Sequence, residues 1–124
     1  MSTAQNGARA RYLAILLALV LGVGQAQGHA KLVGSDPAPD ATVSALKLIQ
    51  LHFSEDIAKK FSSIRLTNTD GNAIAIMAMT APDAKSLAVM PNAALPPGLY
   101  TISWTAVATD DGHKTMGTLS FTVK

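Results

Sequence analysis

Tyr100-Thr101-Ile102-Ser103-Trp104-Thr105-Ala106-Val107 is the stretch that decides the fold class. Tyr100, Ile102, Trp104 and Ala106 alternate with Thr101, Ser103, Thr105 and Val107. A period of two marks a strand with one face in a core and the other in water. Leu95-Pro96-Pro97-Gly98, immediately before it, reads as a turn, with proline then glycine where a type II turn accommodates them.

The same period recurs on both sides. From Leu46 to Ser54, Ile49, Leu51 and Phe53 fall on one face and Gln50, His52 and Ser54 on the other. Ser63 to Thr67 alternates again, with Ile64 and Leu66 facing in. Asn68-Thr69-Asp70-Gly71-Asn72 is a hairpin signal, because Asp-Gly readily takes the positive φ angles of a tight turn. Ala73 to Thr80 and Leu87 to Met90 are further strands, separated by Ala81-Pro82-Asp83-Ala84. After a loop from Asp110 to Met116, Leu119, Phe121 and Val123 close the chain as a terminal strand. Upstream, Ala30 to Val33 is a short apolar edge strand, and Ser35-Asp36-Pro37-Ala38-Pro39-Asp40 is a turn-rich connector. Glu55 to Phe61 is a connector with some helical character. Short strands with regular turn signals and no amphipathic helix predict an all-β protein, a small antiparallel β-sandwich of about seven strands.

The first 28 residues read differently. Arg9 and Arg11 precede the apolar run from Tyr12 to Val23, which has the length of a signal-peptide core and is short for a bilayer span of roughly 20 residues. Ala26 and Gly28 then occupy the −3 and −1 positions for a cut before His29. The expectation is a signal peptide at 1–28 and one domain at 29–124, with an uncleaved membrane anchor as the alternative. The formal net charge of +2 resides in the two leader arginines, so the side chains of 29–124 balance to zero. The sequence pI of about 9.1 is therefore no argument for nucleic acid, and Lys59-Lys60 is the only adjacent basic pair left. With no cysteine, disulfides and thiolate metal sites are excluded.

Cleavage before His29 gives a metal two nitrogens at once, the freed α-amine and the imidazole Nδ1. Asp111 and His113 stand two apart, and in an extended segment such residues project to one side. Brought together, the two ends form an N,N,N,O set, which suits Cu(II). The bland alternatives are a terminal residue without a role and a polar turn.

These residues, with Ser35-Asp36-Pro37-Ala38-Pro39, Leu51-His52-Phe53-Ser54-Glu55, Pro97 to Trp104 and Gly117-Thr118-Leu119-Ser120-Phe121, give a sequence that resembles the CopC/PcoC-like periplasmic copper-resistance proteins. The resemblance covers essentially all of 29–124. It implies a Greek-key sandwich, immunoglobulin-like or cupredoxin-like, that binds copper in the periplasm, with an inner-membrane transporter of the CopD type as partner; the expected state is a monomer. On it, His29, Asp111 and His113 match the Cu(II) ligands, and Glu55 matches an acidic residue beside the site. Glu55 is then placed to accept a hydrogen bond from a ligand's free N–H; without the resemblance, a solvated carboxylate explains it as well. Asp110 is the reserve ligand. His52, on the polar face of a strand, reads as an ordinary surface histidine, and Trp104 as a core residue near the metal.

Some relatives carry a methionine-rich loop with a histidine for Cu(I). Here Met77 and Met79 have no histidine nearby, and a packed or partly exposed strand face is the better reading, with Met90 and Met116 as outside candidates. The expected function is a Cu(II) carrier or buffer that is not an enzyme. Two alternatives compete with it: a copper-dependent monooxygenase using a histidine brace, and a metal-free immunoglobulin-like interaction module. Against the monooxygenase, Asp111 would fill the position oxygen needs.

Overall fold

Alternating apolar side chains need a second apolar face to bury against, and two sheets supply it to each other. The structure, a computed structural model, describes residues 29–124. The reading of 1–28 as a signal peptide lies outside the described residues. Nine strands follow in chain order: β1 (Leu32–Asp36), β2 (Thr42–Val43), β3 (Ile49–Phe53), β4 (Ser63–Asn68), β5 (Ala73–Ile74), β6 (Ile76–Met79), β7 (Ser86–Pro91), β8 (Gly98–Val107) and β9 (Lys114–Val123). One 3-10 turn, Lys59–Phe61, is the only helical piece among the described residues. No helix there is long and apolar enough to cross a membrane.

One sheet has the order β1-β3-β7-β6 and the other β2-β9-β8-β4-β5. The chain passes back and forth between them in a Greek-key sandwich. β2 and β5 are two-residue strands, so seven strands have four residues or more, as the alternation predicts. The sheets are antiparallel except where β2 lies parallel to β9.

Several boundaries differ from the sequence expectation. The first strand is Leu32–Asp36 rather than Ala30 to Val33, so it takes in Ser35 and Asp36 of the expected connector, and Thr42–Val43 forms a short strand that the alternation does not announce. Ala73 to Thr80 is not one strand: Ala73–Ile74 pairs with β4, and Ile76–Met79 pairs with β7 in the other sheet. Ala75 is thus the corner where the chain changes sheets. β9 begins at Lys114 rather than after Met116, because the β8–β9 ladder runs to the Val107–Lys114 pair.

The core forms as the periods dictate. Ile49, Leu51 and Phe53 of β3 with Leu87 and Val89 of β7 face Leu66, Tyr100, Ile102, Trp104, Ala106, Leu119, Phe121 and Val123 of the other sheet. Phe53 meets Trp104 edge to face, with ring centroids 5.2 Å apart, and so joins the two layers. Tyr100 stacks on Phe121, while its hydroxyl donates to the Pro96 carbonyl at 2.6 Å and pins the turn that opens β8.

Candidate metal centre

The site is assembled at one end of the sandwich from two segments remote in sequence. His29 precedes β1, an edge strand of the four-stranded sheet. Asp111 and His113 lie in the turn joining β8 to β9, in the other sheet. One ligand atom from each of the three lies within 4.8 Å of the others. His29 is half-buried, and Asp111 and His113 are exposed.

The acid and the histidine converge for a different reason from the one their spacing suggests. The segment is a turn and not extended. The Gly112 N–H donates to the Ala108 carbonyl, and the Ala108 N–H to the His113 carbonyl, both at 3.0 Å. Gly112 has φ +68°, a conformation that costs a side-chain-bearing residue about 1 kcal/mol or more. Asp111 Oδ1 accepts the His113 N–H at 2.9 Å, which fixes the two residues relative to each other. The connector after β3 braces the turn from outside: Thr109 N–H donates to the Asp56 carbonyl at 2.9 Å, and Ile57 bridges Ala108.

The His29 and His113 rings stack, with centroids 3.9 Å apart and planes 24° from parallel. His29 Nδ1 is buried and has no hydrogen-bond partner. A buried polar atom without a partner costs on the order of 1–3 kcal/mol, so it is retained where something else satisfies it. Two imidazole nitrogens and a carboxylate oxygen form a donor set for a borderline divalent transition metal rather than for magnesium or calcium, which favour oxygen alone.

The fold recurs in known proteins. Residues 32–124 match the CopC domain. The chain belongs to the CopC domain family. Copper resistance protein C of Escherichia coli is 39% identical over 115 residues, which cover 86% of this chain and 90% of that protein. Copper resistance protein C of Xanthomonas campestris pv. juglandis is 37% identical over 117 residues, covering 89% and 91%. Among solved structures, PcoC, a methionine-rich copper resistance protein from Escherichia coli, aligns with a TM-score of 0.72 at 37% identity, over 78% of this chain and all of that one. CopC from Methylosinus trichosporium OB3b aligns with a TM-score of 0.71 at 28% identity, over 77% and 94%.

Within the CopC domain, Asp111 and His113 fall inside the matched residues, whereas His29 lies three positions before them. Glu55 is half-buried at the end of β3, but it makes no side-chain hydrogen bond among the described residues and stands outside the 4.8 Å group. Asp110 is exposed and also stands outside it. Trp104 is a core residue, 9% exposed, and its Nε1 is buried without a partner.

His52 is on the outer face of β3 as read, yet it is not simply solvated. Its Nδ1 lies 2.8 Å from Ser86 Oγ, and Ser86 Oγ donates to Asp83 Oδ1 at 2.9 Å. The single hydroxyl proton is committed to the carboxylate, so His52 Nδ1 is the donor to Ser86. The Ser86 hydroxyl and the Lys85 N–H together hold the Asp83 carboxyl below the usual carboxylate range, with smaller help from His52 and Lys59. This chain secures the β6–β7 turn and lies apart from the metal group.

Three of the four methionines among the described residues share the outer face of one sheet, and the fourth lies on the other sheet. Met77 pairs with Met90 across β6 and β7, Met79 lies on the same outer face, and Met116 is 72% exposed on the other sheet. They form partly exposed strand faces, as their spacing predicts.

The sequence reading missed Ser54 and Thr115, whose hydroxyls hold the backbone of residues 29–31. No local signal announces them, since serine and threonine are also what a strand face takes for propensity alone.

Proposed function

We propose that this protein binds Cu(II) in the periplasm through His29, Asp111 and His113, and acts there as a copper carrier or buffer rather than as an enzyme. The observation that carries the reading is the convergence of two of the chain's three histidines with one carboxylate, from opposite ends of the domain, within 4.8 Å. The relatives' names, copper resistance protein C, supply the metal. Cu(II) stands at the top of the divalent affinity order and prefers tetragonal nitrogen and oxygen donors.

Export with cleavage before His29 completes the set by freeing its α-amine. That amine and Nδ1 close a chelate ring on one ion, so the second bond forms with little further loss of freedom. Each imidazole lone pair lies in its ring plane, and planes only 24° from parallel with centroids 3.9 Å apart do not cross close to the rings. Convergence on one metal therefore requires a ring to turn, and exposed His113 is the one free to do so. Asp111 supplies an anionic oxygen that favours the dipositive ion over Cu(I). Glu55 takes a hydrogen bond from a ligand imidazole once the ring has turned. The copper passes to or from an inner-membrane transporter of the CopD type, with the domain acting as a monomer.

The test is mass analysis of the exported protein's N-terminus, followed by Cu(II) titration and electron paramagnetic resonance. Two forms are compared, one beginning at His29 and one carrying a single extra residue before it. The reading expects one tight Cu(II) equivalent on the first, and weaker binding with an altered spectrum on the second. Equal affinity and identical spectra, or an exported chain that begins elsewhere, overturn it.

A further inference from the structure

Three consecutive carbonyls at the start of the described chain are each taken by a different donor. His29 O accepts from Ser54 Oγ at 3.3 Å, Ala30 O from Thr115 Oγ1 at 2.7 Å, and Lys31 O from the Ser54 N–H at 2.9 Å. Ser54 Oγ also accepts the Lys31 N–H at 3.0 Å. Ala30 between them is fully buried in the core. The tripeptide is therefore fastened from both sheets, by Ser54 just beyond β3 and by Thr115 within β9.

Thr115 has the more telling position. It faces inward opposite Ala106 and stands two residues after His113. Among the described residues, its hydroxyl makes the only side-chain hydrogen bond between residues 29–31 and the segment 108–115. That bond spans 85 positions and joins the peptide bearing His29 to the hairpin bearing Asp111 and His113. The hydroxyl also reaches the Ala106 carbonyl at 3.5 Å, a longer contact that leaves the Ala30 bond dominant.

We propose that Thr115 is a positioning residue for the metal site, seconded by Ser54, and that its hydroxyl sets the distance between His29 and the Asp111–His113 pair. The inference rests on the reading of those three residues as a Cu(II) site. The physical reason is preorganisation. A chain end left loose must be ordered when the metal binds, at roughly 1–2 kcal/mol of backbone entropy per residue fixed. Here folding has already ordered it. Removing the Thr115 donor strands a buried carbonyl, frees the tripeptide to fray, and returns that cost to the binding step.

The experiment compares wild type with Thr115→Val, which keeps the β-branched shape and loses the donor, with Thr115→Ser, which keeps the hydroxyl, and with Ser54→Ala. The readouts are Cu(II) dissociation constants by chelator competition, the resonance spectrum of bound Cu(II), thermal unfolding without metal, and hydrogen exchange at the Lys31 amide. Thr115→Val is expected to weaken Cu(II) binding about tenfold, which is ~1.4 kcal/mol, with a broadened or mixed spectrum and faster Lys31 exchange. Thr115→Ser is expected to recover most of the affinity and the spectrum. A merely structural threonine would lower the metal-free unfolding temperature and leave the dissociation constant and spectrum alone, and that result overturns the proposal. Should Thr115→Val fail to fold, exposed Ser54→Ala carries the test, with a severalfold loss of affinity expected and no loss overturning it. Should wild type take up no Cu(II), the proposed function fails on its own; unchanged Lys31 exchange in Thr115→Val would then overturn the fastening too.

Discussion

Gly117→Ala tests the packing between the two sheets. Gly117 pairs with Trp104 across β8 and β9. A Cβ at position 117 would lie 2.4 Å from Trp104 Cζ2, 2.8 Å from Cε2 and 3.1 Å from Nε1. Carbon atoms in contact prefer about 3.5–4.0 Å, so the ring must move by about an ångström or more. It has nowhere easy to go, since it is 9% exposed with its neighbour Phe53 at 5.2 Å on the opposite sheet. Overpacking of this kind costs roughly 1–3 kcal/mol. Replacing glycine by alanine within a strand returns about 0.5–1 kcal/mol. The net expectation is a loss of about 1–2 kcal/mol, or roughly 5–15 °C in Tm for a domain of this size. Urea unfolding followed by far-ultraviolet circular dichroism reads it without relying on the tryptophan. Trp104→Phe removes the atoms that clash, so in the double variant the alanine methyl occupies vacated space and the two losses fall short of additive by about 1 kcal/mol. Neutral behaviour of Gly117→Ala, or strict additivity with Trp104→Phe, would refute the packing argument.

Three further outcomes follow from the site and its surroundings. Copper is released on acidification, because imidazoles with a reference pKa of about 6.5 must shed protons to ligate; loss below about pH 5 is expected by titration, and retention at pH 4 counts against histidine ligation. Asp111→Ala weakens Cu(II) more than Cu(I) in parallel competition titrations, and equal effects contradict the role given to the anionic oxygen. Asp83, whose carboxyl is held low first by the Ser86 hydroxyl, contributes stability that is present above the unfolded value of about 3.9 and is lost as pH falls through the lower folded value. The difference in urea midpoint between wild type and Asp83→Asn should accordingly narrow as the pH falls below about 5, and a constant difference would remove the hydrogen bond from the account.

What the sequence discloses follows the range of the forces involved. The period of two in Ile49-Leu51-Phe53 and in Tyr100-Ile102-Trp104 is written by burial on one face, and each strand carries that record by itself. The change of sheet at Ala75 leaves no such record, because two strands in different sheets continue one alternating run. The parallel β2–β9 contact is two residues long, too short to show any period. The site divides in the same way. His29, Asp111 and His113 are legible as residue types, since few side chains ligate a transition metal, yet what unites the last two is the left-handed backbone at Gly112 and not the i, i+2 rule of a strand. Ser54 and Thr115 are illegible because their role exists only where β1, β3 and β9 meet, and a hydroxyl that grips a remote carbonyl is indistinguishable in sequence from one that merely suits a strand. A metal site divided between the beginning and the end of a domain depends on such long-range bonds for its dimensions. Candidate ligands can therefore be picked out from the chain alone, but what would set their spacing must be sought in the groups that hold the two ends in register.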